Sequence, residues 1–330
     1  MDQGTQTKLK HNAKAARLIS RRSFIMLCCG SFLSLSTAGY IYSQERFLKA
    51  AHYELSFPKL HQDLEGFKIA QVSDLHNAAY YFPALVQEVL DSLTQFKPRI
   101  IALSGDLIDK RSPHIASSIS FIEKLSSIAP LYYVSGNHEE YLALKKPDLY
   151  ADYLSALSKI EHLELIGFLK QDLIHGKQEL PKIEHLEIKA KIDPLSKHRV
   201  RAREDDKKLE RQDLDSKTQL CEERFSEERF KLLIAHRPEL AERYAQEGFD
   251  LALCGHTHGG QIRLPFIGAL WAPNQGFLPR YSKGLYQLNN AEHSLQMIVS
   301  SGLGCSLIPI RINNRPEISL ITLHKEIRSN

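Results

Sequence analysis

FKIAQVSD (67–74), RIIALSGD (99–106), LYYVSGN (131–137), KLLIAH (231–236) and LALCGH (251–256) are five short apolar runs, each ending on a carboxylate, an amide or an imidazole. Runs this short, bounded by glycine, serine and asparagine, read as buried strands. Between the first two lies PALVQEVLDSLTQF (83–96), whose apolar residues recur at helical spacing. Later, SLQMIVSSGLG (294–304) and EISLITLHK (317–325) read as closing strands. Strands alternating with helical segments imply an α/β fold. In open α/β sheets the carboxyl ends of the strands line the ligand crevice. Asp74, His76, Asp106, Asp109, Asn137, His138, His236, His256 and His258 are therefore expected to meet in one place.

Any one of these residues has an ordinary explanation. A histidine at a strand end is commonly just hydrogen-bonded, and Asp-x-x-Asp after glycine is common turn or helix-cap chemistry. Their joint occurrence is what points to a reaction. Oxygen and nitrogen donors without thiolates suit divalent ions of intermediate hardness, Mn²⁺ first, with Fe²⁺ or Zn²⁺ as alternatives. The set exceeds what one tetrahedral ion takes and suits two, which repel unless an anion bridges them. Asp106, in the middle of the series, is the candidate bridge. Such a centre stays positive and attracts phosphate.

The ordered set Asp74-x-His76, Gly105-Asp106-x-x-Asp109, Gly136-Asn137-His138-Glu139, His236 and Gly255-His256-x-His258 resembles the calcineurin-like metallophosphoesterases. That resemblance implies an αββα sandwich, two mixed sheets flanked by helices. It also implies that Asp74, His76, Asp106 and His258 hold one divalent ion, while Asp106, Asn137, His236 and His256 hold a second. His138 is then the catalytic residue, stabilising the transition state or protonating the leaving oxygen. Thr257 would space His256 and His258 onto adjacent ions, with Gly255, Gly259 and Gly260 letting the backbone turn beneath them. GHTHGGQIRLP (255–265) and the stretch after Ser300 resemble the YkuE/YaeI-like bacterial branch. Membership there implies a membrane-associated phosphodiesterase. Its likeness to the group acting on UDP-2,3-diacylglucosamine implies a lipid-linked nucleotide substrate cleaved to UMP and 2,3-diacylglucosamine 1-phosphate in lipid A biosynthesis.

Composition bounds the remainder. A net charge of +4 over 330 residues is too mild to argue for nucleic acid, and none is expected as a partner. Residues 1–23 form a basic tail, and 24–42 contain no charged residue. A helix of that length just crosses a ~30 Å hydrocarbon core. The segment is expected as an N-terminal anchor in a bacterial inner membrane. A cleaved signal peptide is the rival reading, since Ser36-Thr37-Ala38 reads as a small-x-small cleavage site, and Ser20-Arg21-Arg22-Ser23-Phe24 also resembles a twin-arginine export signal. Residues 43–65 read as a linker and 66–325 as the catalytic domain. Within it, 187–231 is dense in both charges and reads as a solvated insertion, the alternative being a surface arm at the membrane or site. Basic residues ahead of 24–42 place the domain on the far side of the membrane, whereas a UDP-linked substrate is expected in the cytoplasm. The sequence leaves both orientations open.

Overall fold

The computed structural model describes residues 46–167, 180, 183–191, 229–289, 293–305 and 310–326, with a few positions between 26 and 44. Most of the expected anchor 24–42 and the centre of the charged insertion, 192–228, lie outside the described residues. The chain divides into Met1–Ser43 and Gln44–Asn330. In the first unit, the described positions Met26, Ser36, Gly39, Tyr40, Tyr42 and Ser43 are helical. Among the described residues no helix is long and apolar enough to cross a membrane.

The second unit begins with strands β1 (Lys49–Phe57), β2 (Lys68–Val72), β3 (Ile100–Ser104), β4 (Leu131–Val134) and β5 (Leu163–Leu165). After these come β6 (Leu186–Lys191), β7 (Phe230–Ala235) and β8 (Leu251–Cys254). Two short hairpins follow, β9 (Arg263–Leu264) with β10 (Gly268–Ala269) and β11 (Trp271–Ala272) with β12 (Gly276–Phe277). The last strands are β13 (Gly284–Asn289), β14 (Ser294–Val299) and β15 (Glu317–Lys325).

One sheet has the order β1-β15-β2-β3-β4-β5 and the other β13-β14-β8-β7-β6. Strands β2 to β5 run parallel, as do β14, β8, β7 and β6. Both sheets are mixed, because β15 opposes β2 and β13 opposes β14. Central parallel strands covered on both faces need continuous apolar runs, and IIALS in β3 is buried throughout. Ile69, Ile100, Ala102 and Val134 from one sheet meet Leu232, Ile234, Leu251, Leu253 and Ile298 from the other.

Helices cover the outer faces. Those of the first sheet are α1 (Pro83–Phe96), α2 (Ile115–Ser126), α3 (Asn137–Lys145) and α4 (Pro147–Leu157). Helix α1 starts on a proline, where the missing N–H costs nothing, and buries Leu85, Val86, Val89, Leu93 and Phe96 at helical spacing. Helix α5 (Ala241–Gln246) packs Ala241, Tyr244 and Ala245 on the outer face of the second sheet. The expected two-sheet sandwich flanked by helices is the fold observed.

Two boundaries differ from the sequence reading. The linker 43–65 carries β1, paired in parallel with β15 over its full length. Its apolar residues are diluted because an edge strand leaves Glu54 and Ser56 to solvent. The insertion 187–231 is likewise invaded at both ends by β6 and by the first residues of β7. In β6, LEIKAK is an edge strand whose charged Glu187 and Lys189 hid the pattern.

Leu253 is fully buried between the sheets. Leu253→Ala is expected to cost about 2–5 kcal/mol in urea denaturation, the range for a core leucine. A loss within experimental error would show that the two sheets do not pack through this residue.

Candidate metal centre

Each expected residue sits just past a strand end, on one rim of the sandwich. Asp74 and His76 follow β2, Asp106 follows β3, and Asn137 and His138 open α3 after β4. His236 follows β7, while His256 and His258 follow β8. All of these except Asn137, which is half-buried, are buried. Asp74, His76, Asp106, His256 and His258 have φ between +47° and +71°. A non-glycine residue there costs of order 1–3 kcal/mol, so the surrounding structure must impose the conformation.

The side chains form three neighbouring groups, two of which share His76. Asp74, His76 and His258 make one, Asp106, His236 and His256 another, and His76, Asp109 and His138 a third. In the first, His76 Nε2 lies 3.2 Å from His258 Nε2, which lies 3.5 Å from Asp74 Oδ1. In the second, His236 Nε2 is 3.2 Å from Asp106 Oδ2, from Asn137 Oδ1 and from His256 Nδ1. Asp106 Oδ2 also lies 3.9 Å from His76 Nε2 and so joins the two groups. A separate set, His61, Asp63 and His185, is more open to solvent and precedes the starts of β2 and β6.

Backbone partners decide which ring nitrogens face inward. His258 Nδ1 lies 3.2 Å from Gly304 O and His236 Nδ1 2.7 Å from Ser104 O. Only a protonated nitrogen suits a carbonyl, which assigns Nδ1–H to both and turns each Nε2 toward the centre. His138 is the reverse. The Lys110 backbone N–H donates to its Nδ1 at 3.1 Å, so Nε2 carries the hydrogen, 4.0 Å from Asp106 Oδ2. Asp109 Oδ2 faces both His76 Nδ1 and His138 Nδ1, at 3.8 and 3.9 Å.

Electrostatics agree with neutral rings at His76, His256 and His258 and set His236 apart. Burial lowers His76 to about 3, with the neighbouring His138 adding to it, and lowers His258 to about 4. His256 is held well below its ordinary value, first by burial and then by His236. For His236, burial works downward, yet the Asp106 charge and hydrogen bond outweigh it and push the ring up to about 10. Burial would raise Asp106, but His236, His138 and His76 hold it well below the carboxylate range.

These features fit divalent cations. Imidazoles and two carboxylates converge at the centre, and the Nε2 atoms of the neutral His76 and His258 rings, 3.2 Å apart, repel unless a shared cation or a proton lies between them. The second layer supports the same geometry, as it does around metal ligands generally. Ser73 Oγ donates to Asp74 Oδ2 at 2.6 Å, and the His256 N–H reaches both Asp74 oxygens at 3.1 Å.

Three participants escaped the sequence reading. Glu139, quoted within its motif but given no role, is fully buried. Its Oε1 accepts from Leu107 N, Ile108 N and the Tyr133 hydroxyl, and its Oε2 from Asp106 N and Gly136 N. Burial and the nearby Asp106 charge push its pKa up to about 7, while a shell made only of donors favours the carboxylate. Glu139 therefore clamps the loop that presents Asp106. Asn274 Nδ2, from the β11–β12 turn, lies 2.9 Å from His256 Nε2 and donates to Glu239 Oε1 at 2.8 Å. Neither Asn274 nor Glu239 sits in a recognisable pattern. Gly255 also acts differently from expectation: an added Cβ would lie 2.0 Å from Ser73 Oγ and 2.4 Å from Asp74 Oδ2, so close approach rather than a turn requires it. Gly259 and Gly260, at φ +62° and +77°, do supply the turn.

Comparison with known proteins agrees with this centre. The family described as calcineurin-like phosphoesterase matches residues 67–260. The uncharacterized metallophosphoesterase YkuE of Bacillus subtilis is 29% identical over 314 residues, covering 92% of this chain and 98% of its own. The phosphodiesterase YaeI of Escherichia coli is 26% identical over 321 residues, covering 93% of this chain and all of its own. Among solved structures, a dimetal phosphatase from Danio rerio overlays 72% of this chain at 13% identity, with a TM-score of 0.38 too low to build on.

Glu139→Gln would turn an amide NH₂ toward backbone N–H groups, which can only donate, and an unsatisfied buried donor costs about 1–3 kcal/mol. The variant is expected to lose at least about 2 kcal/mol in thermal or urea unfolding and to weaken metal uptake. Unchanged unfolding would mean that the clamp is dispensable.

Proposed function

This chain belongs to the calcineurin-like phosphoesterase family, and from that premise we propose that Asp74, His76, Asp106 and His258 hold one divalent cation and Asp106, Asn137, His236 and His256 a second. It is a metal-dependent phosphoester hydrolase. The observation that carries the ligand reading is Asp106, whose Oδ2 lies 3.2 Å from His236 Nε2 in one group and 3.9 Å from His76 Nε2 in the other. When bound, the cations would supply Lewis acidity toward phosphoryl oxygens and acidify water.

The protein's own groups do the rest. Buried Asp74 and Asp106 offset the cations' charge, leaving a surplus that favours a phosphate. Burial lowers His138 to about 4, so near neutral pH it is an uncharged ring whose Nε2–H faces the centre. It acts by donating that hydrogen bond to a phosphoryl or leaving-group oxygen. The Lys110 N–H fixes the tautomer, and the Asp109 carboxylate lies near His76 Nδ1, at 3.8 Å.

The preferred substrate under this reading is lipid-linked, UDP-2,3-diacylglucosamine, cut at its phosphoanhydride to UMP and the diacylated sugar phosphate. The uncharged stretch 24–42, as an inner-membrane anchor, and the apolar residues that follow His258 support it. The name of YaeI favours a second reading, a phosphodiesterase with no lipid preference. Mn²⁺ is the cation to supply first.

Asp106→Ala is expected to abolish turnover of an aryl phosphodiester, and His138→Ala to lower it about 10²–10³-fold, the usual worth of one hydrogen-bond donor to a transition-state oxygen. Circular dichroism should show both folded. Full activity in either folded variant would overturn its assigned role. Product analysis on UDP-2,3-diacylglucosamine separates the two substrate readings: UMP released with strong preference over the aryl ester supports the first, and no UMP removes it.

A further inference from the structure

After His258 the chain runs out into two hairpins before it rejoins the core at Tyr281 and β14. Residues 261–264, β10 with Leu270, and β12 with Leu278 lie side by side, joined by the hairpin pairings and by the bonds Leu270 N to Ile262 O and Leu278 N to Leu270 O. Ile312 extends the ribbon on its other edge through the Arg263 N–H and Gln261 O. Leu264, Phe266, Ile267, Trp271, Phe277 and Leu278 are all exposed here, Phe266 fully and Phe277 at 76%. Soluble surfaces rarely gather so many large apolar side chains in one short stretch unless something covers them.

We propose that this ribbon is a docking surface that dips into the interface of an anionic lipid bilayer, an inference that rests on the lipid-linked reading of the substrate. The composition fits that occupant: residues 259–284 include Arg263, Arg280 and Lys283 and no acidic residue. Basic charge with tryptophan, phenylalanine and leucine is the mixture that holds protein segments at a headgroup boundary. All three are engaged within the protein: Arg263 Nη1 donates to Gly259 O and Ser282 Oγ, Lys283 pairs with the buried Glu317, and Arg280 pairs with Glu242. Arg280 is nevertheless 72% exposed, and an exposed pair of that kind is weak enough to open toward lipid. The same chain carries the uncharged stretch 24–42, which the lipid reading already places at a membrane.

The ribbon is also tied to the centre. Asn274, in the turn between Trp271 and Phe277, stands 2.9 Å from His256 Nε2. A Cβ on Gly260 would meet Ala269 Cβ at 2.3 Å, so the first hairpin presses against the turn that carries His258. A substrate whose acyl chains stay in the bilayer could thus present its phosphate beside His256 and His258.

Trp271 is the only tryptophan in the chain and lies within the ribbon, so its fluorescence reports on this surface and not on 24–42. The full-length chain is titrated with vesicles of phosphatidylglycerol and phosphatidylcholine, with and without brominated acyl chains. Docking gives a blue shift of Trp271 emission and quenching by the bromines, weaker on phosphatidylcholine alone. Phe266→Glu with Phe277→Glu weakens the equilibrium read by quenching at least about tenfold, while turnover of a soluble aryl phosphodiester is kept. Unshifted, unquenched emission on vesicles that carry the protein overturns the proposal. A blue shift that follows protein concentration without lipid also overturns it, assigning the ribbon to a second copy of the chain. Failure of the wild-type chain to hydrolyse the aryl ester would instead count against the hydrolase reading and leave the Trp271 result standing.

Discussion

The Asp106 carboxylate is the contact through which both halves of the site are joined. It reaches His236 directly, faces His76 and His138, and accepts the His138 backbone N–H at 2.8 Å. An anion in that place lets two like-charged cations sit close together. It can hold the place because Glu139 grips the backbone on either side of it, through Asp106 N, Leu107 N and Ile108 N. A buried carboxylate thus positions another buried carboxylate through backbone amides.

This arrangement is costly for the chain. Five site residues take left-handed backbone conformations that only tight surroundings impose. The apolar layer between the sheets supplies the rigidity, and a polar tie lies just beneath the site. Gln71 Nε2, on β2, donates to Ser104 Oγ at 2.9 Å and to Cys254 O at 2.8 Å, linking the two sheets where their strands end. Strain at the rim and order in the core are therefore parts of one design, and substitutions beneath the rim should be felt at the metals.

The sequence made the centre legible because each strand delivers its residue within a few positions of the end of an apolar run. Asp74, Asp106, Asn137, His236 and His256 could be read that way, and the fold followed from the same runs. Edge strands could not, since β1 and β6 alternate with polar residues and look like surface. Asn274 was invisible for another reason. It belongs to a hairpin turn of ordinary composition, and only the folding of that hairpin onto His256 gives it a partner. Glu139 was on view in its motif, yet its role depends on amides from another loop, which no local pattern encodes.

The centre and its surroundings form a gradient, from charged donors at the strand ends to apolar side chains at the hairpin tips. Every functional statement depends on the first of these holding paired ions. Electron paramagnetic resonance of the chain loaded with Mn²⁺ addresses that most directly. Paired ions sharing Asp106, about 3.5–4 Å apart, should give the signal of a spin-coupled pair, collapsing in Asp106→Asn. An uncoupled spectrum from isolated Mn²⁺ at full loading would contradict the shared carboxylate and the hydrolytic site built around it.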